Sequence, residues 1–274
     1  MTGISFIVVT SGSNDNGLNE VIDSIEVLSI PEYEVIVVGG LTTTLDRKNT
    51  IHVPFDEAAT PKTWLTRKKN LGVQTSKYDV VVIMHDYYVF DANWYTEFEK
   101  FGLDWDICVH QSLHCAEQGS IRANGWRPGI IPGYPEIPYC MTIPWDIDCF
   151  IPYMGIQGAY WVAKRQLMID EPLNETRFMG EDDDTEWSER VVPCYMGQKP
   201  EQVGYKIVAN PNCVVRFNKI KGTYPGNPDW AAIEKSLDWL WDQIRKGYRR
   251  PGVYYYENSV GKVILNQSPI ANVS

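Results

Sequence analysis

Apolar runs and amphipathic segments alternate along the first part of the chain. The run Ile4–Val9 is apolar except at Ser5, and residues 35–38 are apolar throughout. Runs of this kind, rich in Val and Ile, predict strands that are buried on both faces. Between them, residues 18–28 place apolar side chains at the spacing of an amphipathic helix. The order strand, helix, strand predicts a βαβ unit with a parallel sheet.

The apolar run at 80–84 predicts another buried strand, and a polar pair, His85 and Asp86, follows it directly. In open α/β sheets, ligands bind beyond the carboxyl ends of the strands. An imidazole and a carboxylate at that position can hold a divalent metal ion, which can in turn hold a phosphate. The plainer interpretation is a strand that ends in a polar turn, and this stretch alone supports both.

The rest of the chain continues the alternation of helices and strands. Helices are predicted at 64–73 and 93–101, from 165, from about 181, and at 230–245. Strands are predicted at 51–55, 104–109, 158–163, 206–209, 213–217 and 252–256. Residues 111–152 are dominated by Pro, Gly, Trp and Tyr, which predicts a long irregular excursion.

This pattern predicts one α/β domain over residues 1–220. Its first half is expected at about 1–110, the aromatic-rich insertion at about 111–152, and its second half at 153–220. Residues 221–274 are expected to form a C-terminal helix and tail that pack on the same domain.

Composition and charge narrow the classes of function. With 274 residues and 44% apolar content, the chain can bury a sizeable core. A net charge of −10 argues against broad contact with nucleic-acid phosphate. We expect no membrane span and a cytoplasmic location, because the sequence has neither a run of about 18 apolar residues nor a basic, signal-like start. The six cysteines form no Cys-x-x-Cys pair, which favours buried thiols.

Four consecutive carboxylates stand at Glu181, Asp182, Asp183 and Asp184. Carboxylates suit the first turn of a helix because they complement its dipole, so the run predicts a helix start. A carboxylate can also serve as a general base when it lies about 3 Å from a reacting hydroxyl. The plainer interpretation is a solvated helix start without a chemical role.

In this order the motifs resemble the GT-A fold glycosyltransferases, in particular the family-2-like inverting enzymes. Lys69-Asn70-Leu71-Gly72 stands where that family has Arg-Asn-x-Gly, with Lys in place of Arg. His85-Asp86 stands at the family's Asp-x-Asp position, and Gly158-Ala159 and Gly180-Glu181-Asp182 stand at its last two motifs. The resemblance covers about residues 4–216. It implies an α/β fold of the nucleotide-diphospho-sugar transferase type, with a mostly parallel central sheet flanked by helices.

The resemblance also implies an activity: metal-assisted transfer of a sugar from a nucleoside diphosphate sugar to an acceptor hydroxyl, with inversion. Mn²⁺ or Mg²⁺ would bridge the diphosphate, with Asp86 as the better and His85 as the weaker ligand. The implied donor-binding residues are Thr10, Ser11, Gly39, Gly40, Lys68, Lys69, Asn70 and Asp86. Asp182 is the first choice for the base, with Glu181, Asp183 and Asp184 as alternatives. The implied acceptor contacts are Gly158, Ala159, Trp161 and Trp187.

Several of these residues also have plainer interpretations. Lys68 and Lys69 can be surface charge, and Gly39-Gly40 can be a simple turn. Both tryptophans, Trp161 and Trp187, can be core residues.

The chain departs from the family pattern at three places. Tyr87 follows Asp86 directly, so the second carboxylate of Asp-x-Asp is missing. No acid follows the strand at 34–38, where the family usually has one for the nucleoside. All four histidines precede residue 115, so a downstream histidine ligand is absent.

Two other functions are open at this point. A sugar-nucleotide nucleotidyltransferase would carry basic residues in a Gly-rich loop after the first strand, and residues 11–14 have none. A catalytically inactive glycan- or nucleotide-binding module is favoured by the altered metal motif and disfavoured by the intact acidic run. The expected partners are therefore a nucleotide sugar and a glycan or other hydroxyl acceptor, and the sequence gives no oligomeric state.

Overall fold

A computed structural model describes residues 3–13, 15–41, 45–58, 64–116, 119–124, 126–128, 154–177, 183–193, 204–218, 254–257 and 263–266. In chain order the elements are β1 Ile4–Val9, α1 Asp15–Glu26, β2 Tyr33–Val38, β3 Thr50–Val53, α2 Leu65–Thr75, β4 Val80–His85, β5 Tyr88–Phe90, α3 Trp94–Phe101, β6 Ile107–Ala116, β7 Gly119–Asn124, β8 Trp126–Pro128, β9 Met154–Ile156, β10 Tyr160–Lys164, α4 Arg165–Asp170, α5 Asp183–Val191, β11 Ile207–Phe217, β12 Tyr254–Glu257 and β13 Val263–Asn266. The helix predicted at 230–245 lies outside the described residues.

The described residues form a central nine-stranded sheet in the order β3-β2-β1-β4-β10-β6-β11-β5, with β7 added beside β6. The first four strands in this order are parallel. Strands β1, β2 and β4 end at the same height in the sheet, since Val9 at the end of β1 pairs with Val38 of β2 and with His85 of β4. The residues that follow these strands therefore emerge together at one edge of the sheet.

The second half of the sheet is mixed. Strand β10 runs antiparallel to both β4 and β6, whereas β6 and β11 are parallel to each other. Because β10 is reversed, the residues just before it lie beside the end of β4, and the amide of His85 donates to the carbonyl of Ala159 at 3.1 Å. The reversal thus brings residues 158 and 159 to the same edge as His85.

The strands of the parallel half are buried on both faces, as their apolar runs predict. Val80, Val82 and Met84 have no exposed surface, and Val81 and Ile83 on the opposite face have none either. Helix α2 packs on β1 and β2, and α3 packs on β11. An aromatic cluster fills the core beside β5, β10 and β11; it contains Phe6, Tyr88, Phe90, Trp94, Phe98, Tyr160 and Phe217.

The described elements confirm most of the predicted ones, and they correct two regions. The predicted irregular excursion is wrong at its start, since β6 continues to Ala116 and β7 pairs with it. The two strands predicted at 206–209 and 213–217 form the single strand β11, with a bulge between Asn210 and Val214. Strands β5, β8, β9 and β13 were not predicted. The domain division at residue 220 stays a prediction.

Two further observations concern the cysteines and the membrane. Cys108 and Cys213 are free and buried, as predicted for the thiols in general. Within the described part of the chain, no helix has both the length and the apolar content that crossing a membrane requires.

Candidate functional site

Thr10 and Asp86 join two loops at the carboxyl edge of the sheet. Thr10 follows β1 and Asp86 follows β4, and the Thr10 hydroxyl donates a 2.7 Å hydrogen bond to Asp86 Oδ2. The amide of Gly12 donates in turn to Thr10 Oγ1 at 3.0 Å, which closes the first loop over the strand. Asp86 is only 7% exposed, so its carboxylate is held rather than freely solvated.

Lys68 places a buried cation beside this pair. Its Nζ donates to the carbonyl of Thr10 at 2.9 Å and forms an ion pair with Glu57. Burial lowers the pKa of the Lys68 ammonium, while the carboxylates of Glu57 and Asp86 act in the opposite direction. Lys68 is therefore not the surface charge of the plainer interpretation.

The end of β2 requires glycine at position 39. Gly39 has φ +147°, and a Cβ there would lie 2.0 Å from the carbonyl oxygen of Thr10. Next to it, the amide of Gly40 donates to Glu57 Oε1 at 3.3 Å. Ser11 is exposed, and its hydroxyl lies 2.8 Å from that of Ser13. Gly39 thus permits the close approach of the first loop to the end of β2.

The turn at Gly158 receives contacts from two helices. Lys69 of α2 donates from Nζ to the carbonyl of Gly158 at 2.7 Å. The amide of Gly158 donates to Asp184 Oδ2, in the first turn of α5, at 2.9 Å. With the bond from His85 to Ala159, these contacts tie α2, α5 and β4 to one turn.

His85 is oriented by an aromatic neighbour. Its Nδ1 lies 3.0 Å from the hydroxyl of Tyr87, and the Tyr87 ring packs against Tyr88 and Phe217. A partner on one ring nitrogen fixes the orientation of the other, as is usual for histidines that bind metals. The packing of Tyr87 therefore gives His85 a defined direction.

A metal ion at this edge of the sheet would have to take most of its ligands from a bound substrate. Among the described residues, no group of three or more His, Cys, Asp and Glu could hold a metal ion. Ions held beside a diphosphate need few protein ligands, because phosphate oxygens and water complete the coordination. Asp86 and His85 are the carboxylate and the imidazole at the end of β4, and as metal ligands they stay predictions.

Three other predicted residues have structural contacts. The side-chain amide of Asn70 donates to the carbonyl of Leu173 and accepts from its backbone amide, at 2.8 and 3.0 Å. Trp161 and Trp187 are each 1% exposed and pack on one another, with ring centroids 5.4 Å apart. This burial supports a core role for both rings; as acceptor contacts they stay predictions.

The acidic run is described only in part. Glu181 and Asp182 lie outside the described residues. Asp183 begins α5, and its side chain is likewise outside the description. Asp184 is the member of the run whose side-chain position is described.

One residue of the site was missed by sequence reasoning. Glu57 contacts both Lys68 and Gly40, yet it follows Asp56 in the segment after β3 and belongs to no motif. Only its acidic type, a few residues after a short strand, could have pointed to it.

The described part of the chain also contains a cavity of about 690 Å³ on the outer face of α2. Trp64, Arg67, Leu71 and Gln74 line it at helical spacing, with Pro54, Phe55, Asp56 and Glu175 opposite. None of the sequence-predicted site residues lines this cavity.

Comparison with known proteins gives a fold but no family. The sequence matches no protein-family model and no curated protein. Among solved structures, GalNAc-T7 with UDP, GalNAc and Mn²⁺ matches 89% of this chain with a TM-score of 0.54 and 12% identity. The chain spans 50% of the length of that GalNAc-T7 chain.

Two further structures align with lower scores. The mannosyltransferase PcManGT from Pyrobaculum calidifontis, in complex with GDP-Man and Mn²⁺, has a TM-score of 0.47 and 13% identity, covering 90% of this chain and 65% of its own. S. aureus TarS 1-349 has a TM-score of 0.47 and 12% identity, covering 91% and 67% respectively.

The architecture and the GalNAc-T7 alignment together define the class of fold. It is the GT-A glycosyltransferase fold, as expected from the order of the motifs. At this level of identity the likeness concerns the fold alone.

Proposed function

We propose that this protein is a glycosyltransferase that moves a sugar from a nucleoside diphosphate sugar to an acceptor hydroxyl, with inversion and with the help of a divalent metal ion. The observation that carries the proposal is the joined carboxyl edge of the sheet. There Thr10, Asp86 and Lys68 are connected by hydrogen bonds, and Lys69 connects the same helix to the turn at Gly158.

The charges at this edge suit a diphosphate leaving group. Lys68 is a fixed cation next to Thr10, and Asp86 with His85 would hold Mn²⁺ or Mg²⁺. When bound, such an ion neutralises the diphosphate charge that develops as the glycosidic bond breaks. Thr10, Gly39 and Gly40 bring the loops after β1 and β2 together beside these charges, which provides backbone groups for the nucleoside.

The general base is proposed to come from the acidic run at 181–184. Asp182 is favoured by motif order, whereas Asp184 is favoured by geometry because its carboxylate contacts the Gly158 turn. We give Asp184 precedence, since that turn also contacts Lys69 and adjoins Ala159, the partner of His85. The base would take the proton of the acceptor hydroxyl as that oxygen attacks the anomeric carbon. Gly158 and Ala159 would border the acceptor.

The donor site is tested by thermal shift with UDP-, GDP-, dTDP- and CDP-sugars, each with and without Mn²⁺. A ligand present at about 100 times its dissociation constant should stabilise the protein by about 2.7 kcal/mol, which raises the midpoint by several degrees. At least one nucleotide sugar is expected to do so. A flat response to the whole panel would contradict the proposed donor site.

The base is tested with Asp184→Asn and Asp182→Asn in the same background. Asn retains an oxygen that can accept from the Gly158 amide, so Asp184→Asn is expected to keep donor binding and to lose at least about 100-fold in transfer rate. Asp182→Asn is expected to retain most of the transfer activity. The reverse result would move the role to Asp182. If the wild type binds a donor but transfers no sugar to any acceptor tried, the inactive binding module becomes the better description.

A further inference from the structure

The carboxylate of Glu57 lies at the end of β2, although Glu57 belongs to a different part of the chain. Strand β2 itself is followed by Gly39 and Gly40, which have no side chains to offer a ligand. Glu57 lies in the segment after β3, and its Oε1 accepts from the amide of Gly40 at 3.3 Å. The same oxygen pairs with Lys68 Nζ. The fold therefore supplies an acidic group where the local sequence has none.

This carboxylate is anchored on one side and open on the other. Lys68 has no exposed side-chain surface, whereas 27% of the Glu57 side chain is exposed. Both of its described contacts are made by Oε1, and Oε2 makes no hydrogen bond to the residues that the structure describes. Because the buried ion pair fixes Oε1, the second oxygen is presented in a defined position at the site edge.

The chemistry of a fixed carboxylate at this position selects its ligand. An ionised carboxylate only accepts hydrogen bonds, so it suits a group with hydroxyl donors. In doubly wound α/β folds, an acidic residue beyond the nucleotide-binding strand accepts a hydrogen bond from the ribose 2′-hydroxyl. The Lys68–Thr10–Asp86 chain lies directly beside Glu57, on the side where the diphosphate is proposed to bind.

We propose that Glu57 accepts hydrogen bonds from the ribose hydroxyls of the bound nucleotide and so distinguishes ribonucleotides from 2′-deoxyribonucleotides. This inference rests on the proposed nucleotide-sugar function and names a specificity residue within it. Glu57 acts from the segment after β3, and its position depends on the pair with Lys68 and on the Gly40 amide.

The test compares ribonucleoside diphosphates with their 2′-deoxy counterparts, base by base, by calorimetric titration in the presence of Mn²⁺. The wild type is expected to bind the ribonucleotide about 10-fold more tightly, the usual effect of one hydrogen bond to a charged group. Glu57→Gln is expected to reduce this ratio to about 2-fold or less. Asp56→Asn is the matched control, because it removes a neighbouring exposed carboxylate and should leave the ratio unchanged.

Several outcomes would overturn the inference while leaving the proposed function in place. In the first, the wild type binds the ribonucleotide and its 2′-deoxy counterpart with equal affinity. In the second, Glu57→Gln binds both nucleotides equally more weakly than the wild type does. In the third, Glu57→Gln keeps the wild-type ratio of the two affinities. An equal weakening would indicate that Glu57 contacts the base or only positions Lys68. If Glu57→Gln fails to fold, Glu57→Asp replaces it in the comparison with the wild type. The shorter side chain withdraws the carboxylate, so this variant should also show a reduced ratio of ribonucleotide to 2′-deoxyribonucleotide affinity. If no nucleotide binds the wild type at all, the proposed function fails and this inference with it.

Discussion

At the scale of single residues, burial changes the meaning of charged and polar side chains. Lys68 and Lys69 are adjacent in sequence, and an adjacent lysine pair is usually solvated. Here both are buried, and each ammonium donates to a backbone carbonyl, of Thr10 and of Gly158 respectively. Burying an ammonium without such partners would cost several kcal/mol, so these contacts explain why both side chains can lie inside.

His110 is a second buried residue with a measurable consequence. Its Nδ1 accepts from the indole of Trp94 at 3.1 Å and lies 2.9 Å from the hydroxyl of Tyr160. Burial lowers the pKa of His110 to about 3. The native imidazole is therefore neutral over a range of pH in which the unfolded chain, with a histidine pKa of about 6.5, takes up a proton.

We therefore predict that His110 makes the folded protein less stable as the pH falls. Because the pKa of His110 is lower in the folded state, stability is complete above pH 6.5 and decreases as the pH falls towards 3. Between pH 7 and pH 4 this group should account for about 3 kcal/mol of the lost free energy of unfolding. In His110→Gln, urea unfolding at a series of pH values should show a correspondingly shallower decline. Parallel curves for the two proteins would contradict the assignment.

At the scale of elements, the level ends of β1, β2 and β4 create the site, and glycine makes their close approach possible. The Thr10 carbonyl lies where a side chain at position 39 would be, so the loop after β1 can close only over a glycine. A fixed close contact of this kind also holds Thr10 in position to reach Asp86.

Gly39→Ala should therefore be strongly destabilising. The new Cβ would meet the Thr10 carbonyl at 2.0 Å, in a backbone conformation that L-residues rarely adopt. We expect a loss of about 3 kcal/mol or more in the free energy of unfolding, together with weaker nucleotide binding. Gly102→Ala is the control for backbone conformation alone, since its φ is +80° and nothing lies within 4 Å of the new Cβ.

The control should cost about 1–3 kcal/mol, because Gly102 has ψ −172° and so lies in a region of backbone conformation that essentially only glycine adopts. Gly40→Ala offers a second comparison, because its Cβ would lie 3.4 Å from the nearest atom, in Glu57. Equal losses in Gly39→Ala and Gly102→Ala would show that the contact with Thr10 has no energetic importance.

At the scale of the whole molecule, the GT-A fold brings segments from both halves of the chain to one edge. A site that combines a metal ion with a nucleotide makes their binding interdependent, because each contributes ligands to the other. Stabilisation by both together should then exceed the sum of the separate effects.

We predict that this coupling depends on Asp86. In the wild type, Mn²⁺ should tighten nucleotide binding at least about 10-fold, and chelation with EDTA should remove the effect. Asp86→Asn should keep the folded state, since its amide oxygen can still accept from Thr10, but nucleotide affinity should become independent of Mn²⁺. Asp91→Asn makes the same change of charge at a surface pair with Arg216 and should keep the coupling. Full coupling in Asp86→Asn would exclude Asp86 as a ligand.

The sequence predicted the elements better than the contacts between them. The strands at 4–9, 34–38 and 80–84 were identified because burial on both faces requires a nearly continuous apolar run, which is visible locally. The extension of β6 was missed because a strand rich in His, Gln and Ser is stabilised by its neighbours β7 and β11 and not by its own pattern.

By itself, then, the sequence determined where the chain forms buried strands and amphipathic helices, and the order of its motifs indicated the fold. The tertiary structure decided which polar groups meet. Thr10 and Asp86 are 76 residues apart, and Lys69 and Gly158 are 89 apart. Periodicity is a local property, but a hydrogen-bond partner depends on strand order, direction and register. For that reason only the folded sheet shows that Glu57 occupies the end of β2 and that Trp161 and Trp187 belong to the core.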